Sequence, residues 1–315
     1  MLIIFVFPFM KSTTKAHIAV LCTNLFFASN YSMVKYISPS LIRPFALNLL
    51  RVGVSLVLFW LLWFGSRSIP GRLAIKPGIR KEDIGRFFIC ALMGVCLNQT
   101  LFIKGLTLTS PIHASLLILC TPLLITIFAF WILKEKVTIV KVAGLASGIG
   151  GSVMLILTKE NSTGADDYIT GDLLIMLNAI FYGFYFILVK PLMIKYSPVH
   201  VIRWIFTIGF FMLLPFGWKQ YTEIDWSQFE WSHISSLAFI VIAGTFLAYF
   251  FNVYGILHLG AGVTGSYIYT QPIFAAVIAT LFLHESLSLQ KIIAGILIFG
   301  GVFMASRKAL PVIQE

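Results

Sequence analysis

Long apolar stretches separated by short polar or basic segments dominate the pattern of the chain. Runs of about twenty residues rich in Leu, Ile, Phe, Val, Gly and Ala recur along it, the length a helix needs to cross a bilayer. Only structures that satisfy their own backbone hydrogen bonds can span lipid. The runs are continuous and lack the alternation of a spanning strand, which excludes a β-barrel. Ten spans are predicted, over roughly 16–37, 42–65, 84–105, 109–133, 138–158, 170–190, 199–217, 233–257, 262–283 and 288–306. No segment between them is long enough to be a domain. The largest are the basic 66–83, the acidic-leaning 159–169 and 218–232, whose Trp226, Phe229 and Trp231 suit an interfacial aromatic belt.

One pattern occurs twice. "TPLLITIFAFWILKE", Thr121 to Glu135, has its counterpart 150 residues on in "QPIFAAVIATLFLHE", Gln271 to Glu285. At that shift Gly105 meets Gly255, Pro122 meets Pro272, Glu135 meets Glu285, Lys141 meets Lys291, and Gly150-Gly151 meets Gly300-Gly301. The shift covers five predicted helices, an odd number, so the two copies are expected to lie in the membrane in opposite senses. Inverted repeats of this kind build transporters, with the substrate site near the midplane between the halves.

The same residues carry a family resemblance. "GLTLTSPIHASLLILCTPLLITIFAFWILKEKVTIVKVAGLASGIGG" resembles one EamA domain of the drug/metabolite transporter superfamily, and "GILHLGAGVTGSYIYTQPIFAAVIATLFLHESLSLQKIIAGILIFGG" resembles a second. The marks are the Pro early in the fourth helix of each half, the Glu after it and the Gly-rich fifth helix. "LLRVGVS", with Arg51, also fits the family pattern, whereas "LKEK" and "LHES" depart from the small residue often found before the Glu. The resemblance implies an all-α integral membrane protein of ten transmembrane helices in two inverted five-helix repeats, both termini cytoplasmic, exporting amino acids or other small metabolites. The expected division is a tail over 1–15, a first repeat over 16–158, a second over 170–306 and a tail over 307–315.

Composition agrees with a lipid-facing chain. Of the 315 residues, 59% are hydrophobic and 11% charged, against roughly 25% charged in soluble domains. The net charge of +11 does not point to nucleic acid, because no basic stripe lies on a soluble domain. Basic residues instead collect in cytoplasmic loops of membrane proteins. With the N-terminus inside, sixteen Lys and Arg fall inside and five outside (Arg43, Lys104, Lys159, Lys219, Lys291), while Lys35 and Arg51 stay within spans. That bias predicts both ends in the cytoplasm and a multi-pass protein of the cell inner membrane. The opening "MLIIFVFPFM" lacks a basic region before its apolar run and makes a poor signal peptide, which leaves Met1 and Met10 both open as starts. Cys22, Cys90, Cys96 and Cys120 lie in apolar runs without a CxxC pair and read as small buried residues.

Candidate chemistry is sparse. Arg51 lies deep in its span, where a charge costs at least about 2.5 kcal/mol, so it is read either as a snorkelling or carbonyl-capping residue or as the anchor of a substrate carboxylate. The twelve acidic residues are placed in loops or at span ends. Of these, Glu135 and Glu285 at helix ends, with His113 and His258, are the groups available to a proton relay, and capping or pairing is the plainer role for each. Loosely coupled or facilitated transport is therefore expected. Asn178, Tyr182 and Tyr185 share one helical face. Asn178, Tyr182, Tyr249, Tyr269 and Gln271 are taken as a binding cavity for a zwitterion or aromatic ring, although any one of them also suits a helix-to-helix hydrogen bond. Pro122 and Pro272 are expected to kink gating helices. Gly144-x3-Gly148 and Gly244-x3-Ala248 are expected at close helix contacts. "GAGVTGS" opens a span with no strand before it and is no phosphate loop. No HExxH, GxSxG or paired intramembrane carboxylates mark an enzyme, and no filter-like ring marks a channel. The expectation is a carrier with a small-molecule substrate, no cofactor, no metal and an oligomeric state left open.

Overall fold

The computed structural model describes residues 12–67, 78–121, 123–124, 127–128, 139–157, 167–259, 264, 267–284 and 287–306. Among these the chain is helical, with no strand. The helices are α1 (Ser12–Ile37), α2 (Pro44–Arg67), α3 (Lys81–Leu108), α4 (Pro111–Ile118), α5 (Ile139–Leu157), α6 (Tyr168–Lys195), α7 (Pro198–Thr222), α8 (Trp231–Val241 continued by Ile242–Leu247 and Ala248–Leu259), α9 (Gln271–Leu283) and α10 (Leu289–Ser306). Five of them, α2, α3, α6, α7 and α8, are long and apolar enough to cross a membrane.

Their ends follow local chemistry. Ser110 caps α4 by accepting from the backbone N–H of His113 at 3.2 Å, and Pro111 takes the first turn, where its missing N–H costs nothing. Asp167 caps α6 through the N–H of Thr170. Glu230 and His233 form a reciprocal capping box on α8. α9 ends at His284, whose φ of 52° lies in the left-handed region.

Pairing runs across the two halves. α2 packs along α7, α3 along α6, α8 along α1, and α5 along α10. The α5–α10 contact is reciprocal. A Cβ at Gly301 would stand 2.5 Å from the Gly144 carbonyl oxygen and the Gly148 nitrogen, and one at Gly151 would stand 2.9 Å from the Ala294 carbonyl oxygen. Ala294 is the counterpart of Gly144 and Gly301 that of Gly151, each 150 positions on. Ser147 Oγ donates to the carbonyl of its own counterpart, Leu297, at 3.0 Å. Gly144 and Gly148 thus lie at a close helix contact, and Gly244 does too, against Asn30. α3 and α8 each contain a π-helical turn, Leu92–Leu97 and Ile242–Leu247, again 150 residues apart.

Two apolar cores form. One gathers Ala28, Val34, Ile103, Leu106, Leu117, Ile175, Ala275 and Ala294, and the other Leu49, Val52, Phe59, Phe87, Val95, Val189, Phe206 and Phe246. α3 contributes to the second core up to Cys96 and to the first from Ile103 onward. Between these stretches α3 carries Asn98, Gln99 and Thr100, and between Ile175 and Val189 α6 carries Asn178, Tyr182 and Tyr185 among apolar neighbours. The polar residues therefore occupy a seam between two oily bodies, midway along the helices.

Candidate functional site

Arg51 of α2 lies at this seam and is 4% exposed. Its Nε donates to Thr245 Oγ1 at 3.0 Å. The hydroxyl is offered by the π-turn of α8: Thr245 donates its own hydrogen to the carbonyl of Ile240, five residues back, at 2.8 Å, which leaves the oxygen's lone pairs for the guanidinium. In the other half the equivalent position is Val95, which has no acceptor to give. Arg51 Nη1 is buried without a hydrogen-bond partner, and no carboxylate pairs with Arg51 among the described residues.

Around it stand the aromatic and amide groups. The Tyr249 hydroxyl accepts from Gln99 Nε2 at 3.2 Å and lies within electrostatic range of Arg51. Gln99 Oε1 is buried without a partner. The Tyr249 ring meets Phe27 and Phe206 edge-on, at 6.1 and 5.2 Å between centroids. Tyr182 and Tyr185 of α6 lie 5.9 Å apart. Arg51, Tyr182 and Tyr249 thus belong to one neighbourhood, joined by Gln99, Tyr185 and Thr245.

The other expected residues divide differently. Asn178 and Asn98 clamp α6 to α3, each amide donating to the other's backbone carbonyl, at 2.7 and 3.2 Å. Gln271 belongs to a network with α1, accepting from the Tyr31 hydroxyl at 2.9 Å and donating to Asn24 Oδ1 at 2.8 Å. Tyr31 lies one turn from Phe27, which connects this network to Tyr249. Tyr269, in the 3-10 turn before α9, packs edge-on against Phe299. Pro272 does not kink a continuous helix. It stands in the first turn of α9, directly after that 3-10 turn, so the break is a change of helix type. Pro122, Glu135 and Glu285 lie outside the described residues.

Two buried groups were not anticipated. Asp172, placed at a span end by the sequence, is fully buried, bonded to His113 Nδ1 at 2.9 Å and accepting from Thr109 Oγ1. The signal was an Asp inside an apolar run, with a His in another run. Arg203, assigned to the cytoplasmic loop charges, is fully buried in α7, its guanidinium 3.6 Å from the Trp63 ring centroid and 4.6 Å from that of Trp60. Among the described residues no cluster of His, Cys, Asp or Glu is suited to a metal.

Several apolar spans around a polar seam define a multi-pass membrane protein. Comparison with known proteins sharpens the class. The model of the EamA-like transporter family matches residues 14–157 and 169–307, and the chain belongs to that family. It is 25% identical to YetK of Bacillus subtilis, an uncharacterised transporter, over 76% of this chain and 74% of that one. It is 26% identical to a WAT1-related protein of Arabidopsis thaliana, over 92% and 85% of the two chains. A crystal structure with 17% identity matches the fold at a TM-score of 0.59, over 91% of this chain and 94% of that one. The protein is a transporter and not an enzyme, as expected from the absence of catalytic motifs.

Proposed function

We propose that the chain exports amino acids or related small metabolites by alternating access between two inverted five-helix halves. It crosses the cell inner membrane ten times, with both termini in the cytoplasm. One observation carries the substrate assignment. The seam holds an unmet donor, Arg51 Nη1, and an unmet acceptor, Gln99 Oε1, joined through Tyr249. An unmet buried polar atom costs about 1–3 kcal/mol. A ligand with a carboxylate for the guanidinium and an ammonium for the amide oxygen relieves both, and that is the shared end of every amino acid. Tyr182 and Tyr249 supply an aromatic wall for the remainder of the ligand. Asn178 borders the site and fixes α6. Gln271 brings α9 to it through Tyr31, and Tyr269 precedes it in the adjoining 3-10 turn.

The alternating motion is supported by the reciprocal contacts of α5 with α10 and by the paired π-turns. Near-equivalent halves can exchange conformations and open the seam to either side in turn.

The test is counterflow in liposomes. Vesicles holding the purified protein are preloaded with one amino acid at a time, and uptake of the labelled counterpart is followed, with Arg51→Ala alongside. The expected result is accumulation of a few amino acids, reduced about tenfold or more in the variant, a loss of roughly 1.4 kcal/mol or more in binding. Normal flux in Arg51→Ala would sink the carboxylate role. No signal across the panel from folded protein would favour uncharged metabolites or drugs, held by the aromatic wall, and make Arg51 structural.

A further inference from the structure

The pair formed by His113 and Asp172 has no part in the site at Arg51. The two residues are 59 positions apart, in the opening turns of α4 and α6, and both side chains are wholly inaccessible. Thr109 Oγ1 and His113 Nδ1 occupy the two carboxylate oxygens of Asp172. An ionised carboxylate only accepts, so the imidazole is oriented with its hydrogen on Nδ1. The lone pair then sits on Nε2, and that atom is buried with no partner. A pair built only to hold two helices together has no use for a bare basic nitrogen in a dry pocket. The smallest ligand that satisfies it is a proton.

The surroundings pull on that proton in both directions. Asp172 attracts an added positive charge on the ring and is itself steadied by the N-terminus of α6. The N-terminus of α4 repels it, as does Lys35 of α1, whose Nζ donates to the carbonyls of Thr107 and Thr109 at 2.9 and 3.0 Å. Tyr168 of α6 meets the imidazole edge-on at 5.8 Å. Other ionisable side chains described on elements packed against α4 and the start of α6 include Tyr31 of α1, Lys104 of α3, Asp167, Tyr182 and Tyr185 of α6, Tyr267, Tyr269 and His284 beside α9, and Lys291 of α10. No second described carboxylate contacts the imidazole.

We propose that His113 and Asp172 form a proton-binding site that couples transport to proton movement, with one proton taken onto His113 Nε2 and returned in each cycle. This rests on the transport reading above. The site is closed to water, so Nε2 can exchange its proton only when α4 and α6 part. That requirement ties proton uptake to a change of conformation. The proton comes from hydronium and returns to water, and no bond between heavy atoms forms or breaks.

The experiment uses the full chain in liposomes with a pH dye in the lumen, on a substrate that shows counterflow. In the wild type, net substrate flux should move protons, and an imposed pH gradient should drive accumulation. His113→Gln keeps an amide N–H for Asp172 and removes the basic nitrogen. It should hold counterflow within about twofold of the wild type while gradient-driven accumulation falls about tenfold or more. Net wild-type substrate flux without proton movement overturns the site, as does a His113→Gln protein that still accumulates substrate on the gradient. If that variant does not insert, Thr109→Val gives the decision. It removes the hydroxyl from Asp172 and leaves the imidazole, so the pH of half-maximal gradient-driven uptake must move, and an unmoved midpoint overturns the proposal. The two readings fail separately. Absence of amino-acid counterflow in the wild type removes the substrate assignment, and net substrate flux without proton movement, with counterflow intact, removes the proton site.

Discussion

Thr245 determines how Arg51 is held. A buried guanidinium with a neutral partner and an idle Nη1 keeps a donor for an incoming anion, whereas one locked to a carboxylate would not. Thr245→Val removes the acceptor without changing the side chain's shape. The variant should fold normally, with apparent affinity in counterflow weakened about tenfold or more, the loss expected for one charge-assisted bond of about 1.5–3 kcal/mol; unchanged affinity would show that Thr245 does not position the guanidinium. His284 presents the opposite case, a residue in a conformation that suits Gly. His284→Gly relieves the left-handed backbone and should raise stability by about 0.5–1 kcal/mol, read as a higher Tm in detergent. Arg51 was legible in the sequence because a charge in an apolar run declares itself. Asp172 and Arg203 were not, because their partners, His113 for one and Trp60 and Trp63 for the other, lie on distant helices and residues near helix ends look like loop residues. The amide of Asn178 illustrates the same limit: spacing placed it on a face, but only the fold reveals that it is bonded to Asn98.

At the scale of helices, the α5–α10 contact is the sharpest. The atoms facing Gly301 are backbone, which cannot swing aside as a flexible side chain can. Gly301→Ala should therefore destabilise by about 1–3 kcal/mol, despite the better helix propensity of Ala. Gly65→Ala is the control, since nothing lies within 4 Å of the added methyl, and its Tm should hold or rise slightly. Equal Tm values for the two variants would show that the helices adjust freely. The helices themselves, and the small-residue rows between them, were readable from the lengths of the apolar runs and the spacing of the glycines. The π-turns were not. Nothing in "LMGVCL" or "IAGTFL" distinguishes a widened turn from an ordinary one, and the side chains set against their glycines, Tyr185 at Gly94 and Asn30 at Gly244, come from other helices. The change of helix type before Pro272 escaped for a related reason: a Pro fits either a kink or a first turn, and only the preceding backbone decides.

For the whole molecule, the proposed ten spans make a topological prediction. A reporter that is active only in the cytoplasm, fused in turn to each end, should work at both. Activity at one end and silence at the other would mean an odd number of crossings. The duplication was legible in the sequence from the positions that match at a shift of 150, and the structure adds where the copies touch. One such place is Gln99 against Tyr249, which are each other's counterparts. In the proposed exchange of conformations between the halves, a contact between equivalent positions would be carried onto itself, so this pair would be a fulcrum, the part that travels least while everything beside it swings. In two separate identical half-chains the same side chain would face its own copy at this point. Within one continuous chain the two could become different, one giving a hydrogen and the other taking it. Such a pivot would have a direction, and the two states it joined would be alike in shape without being equal in energy.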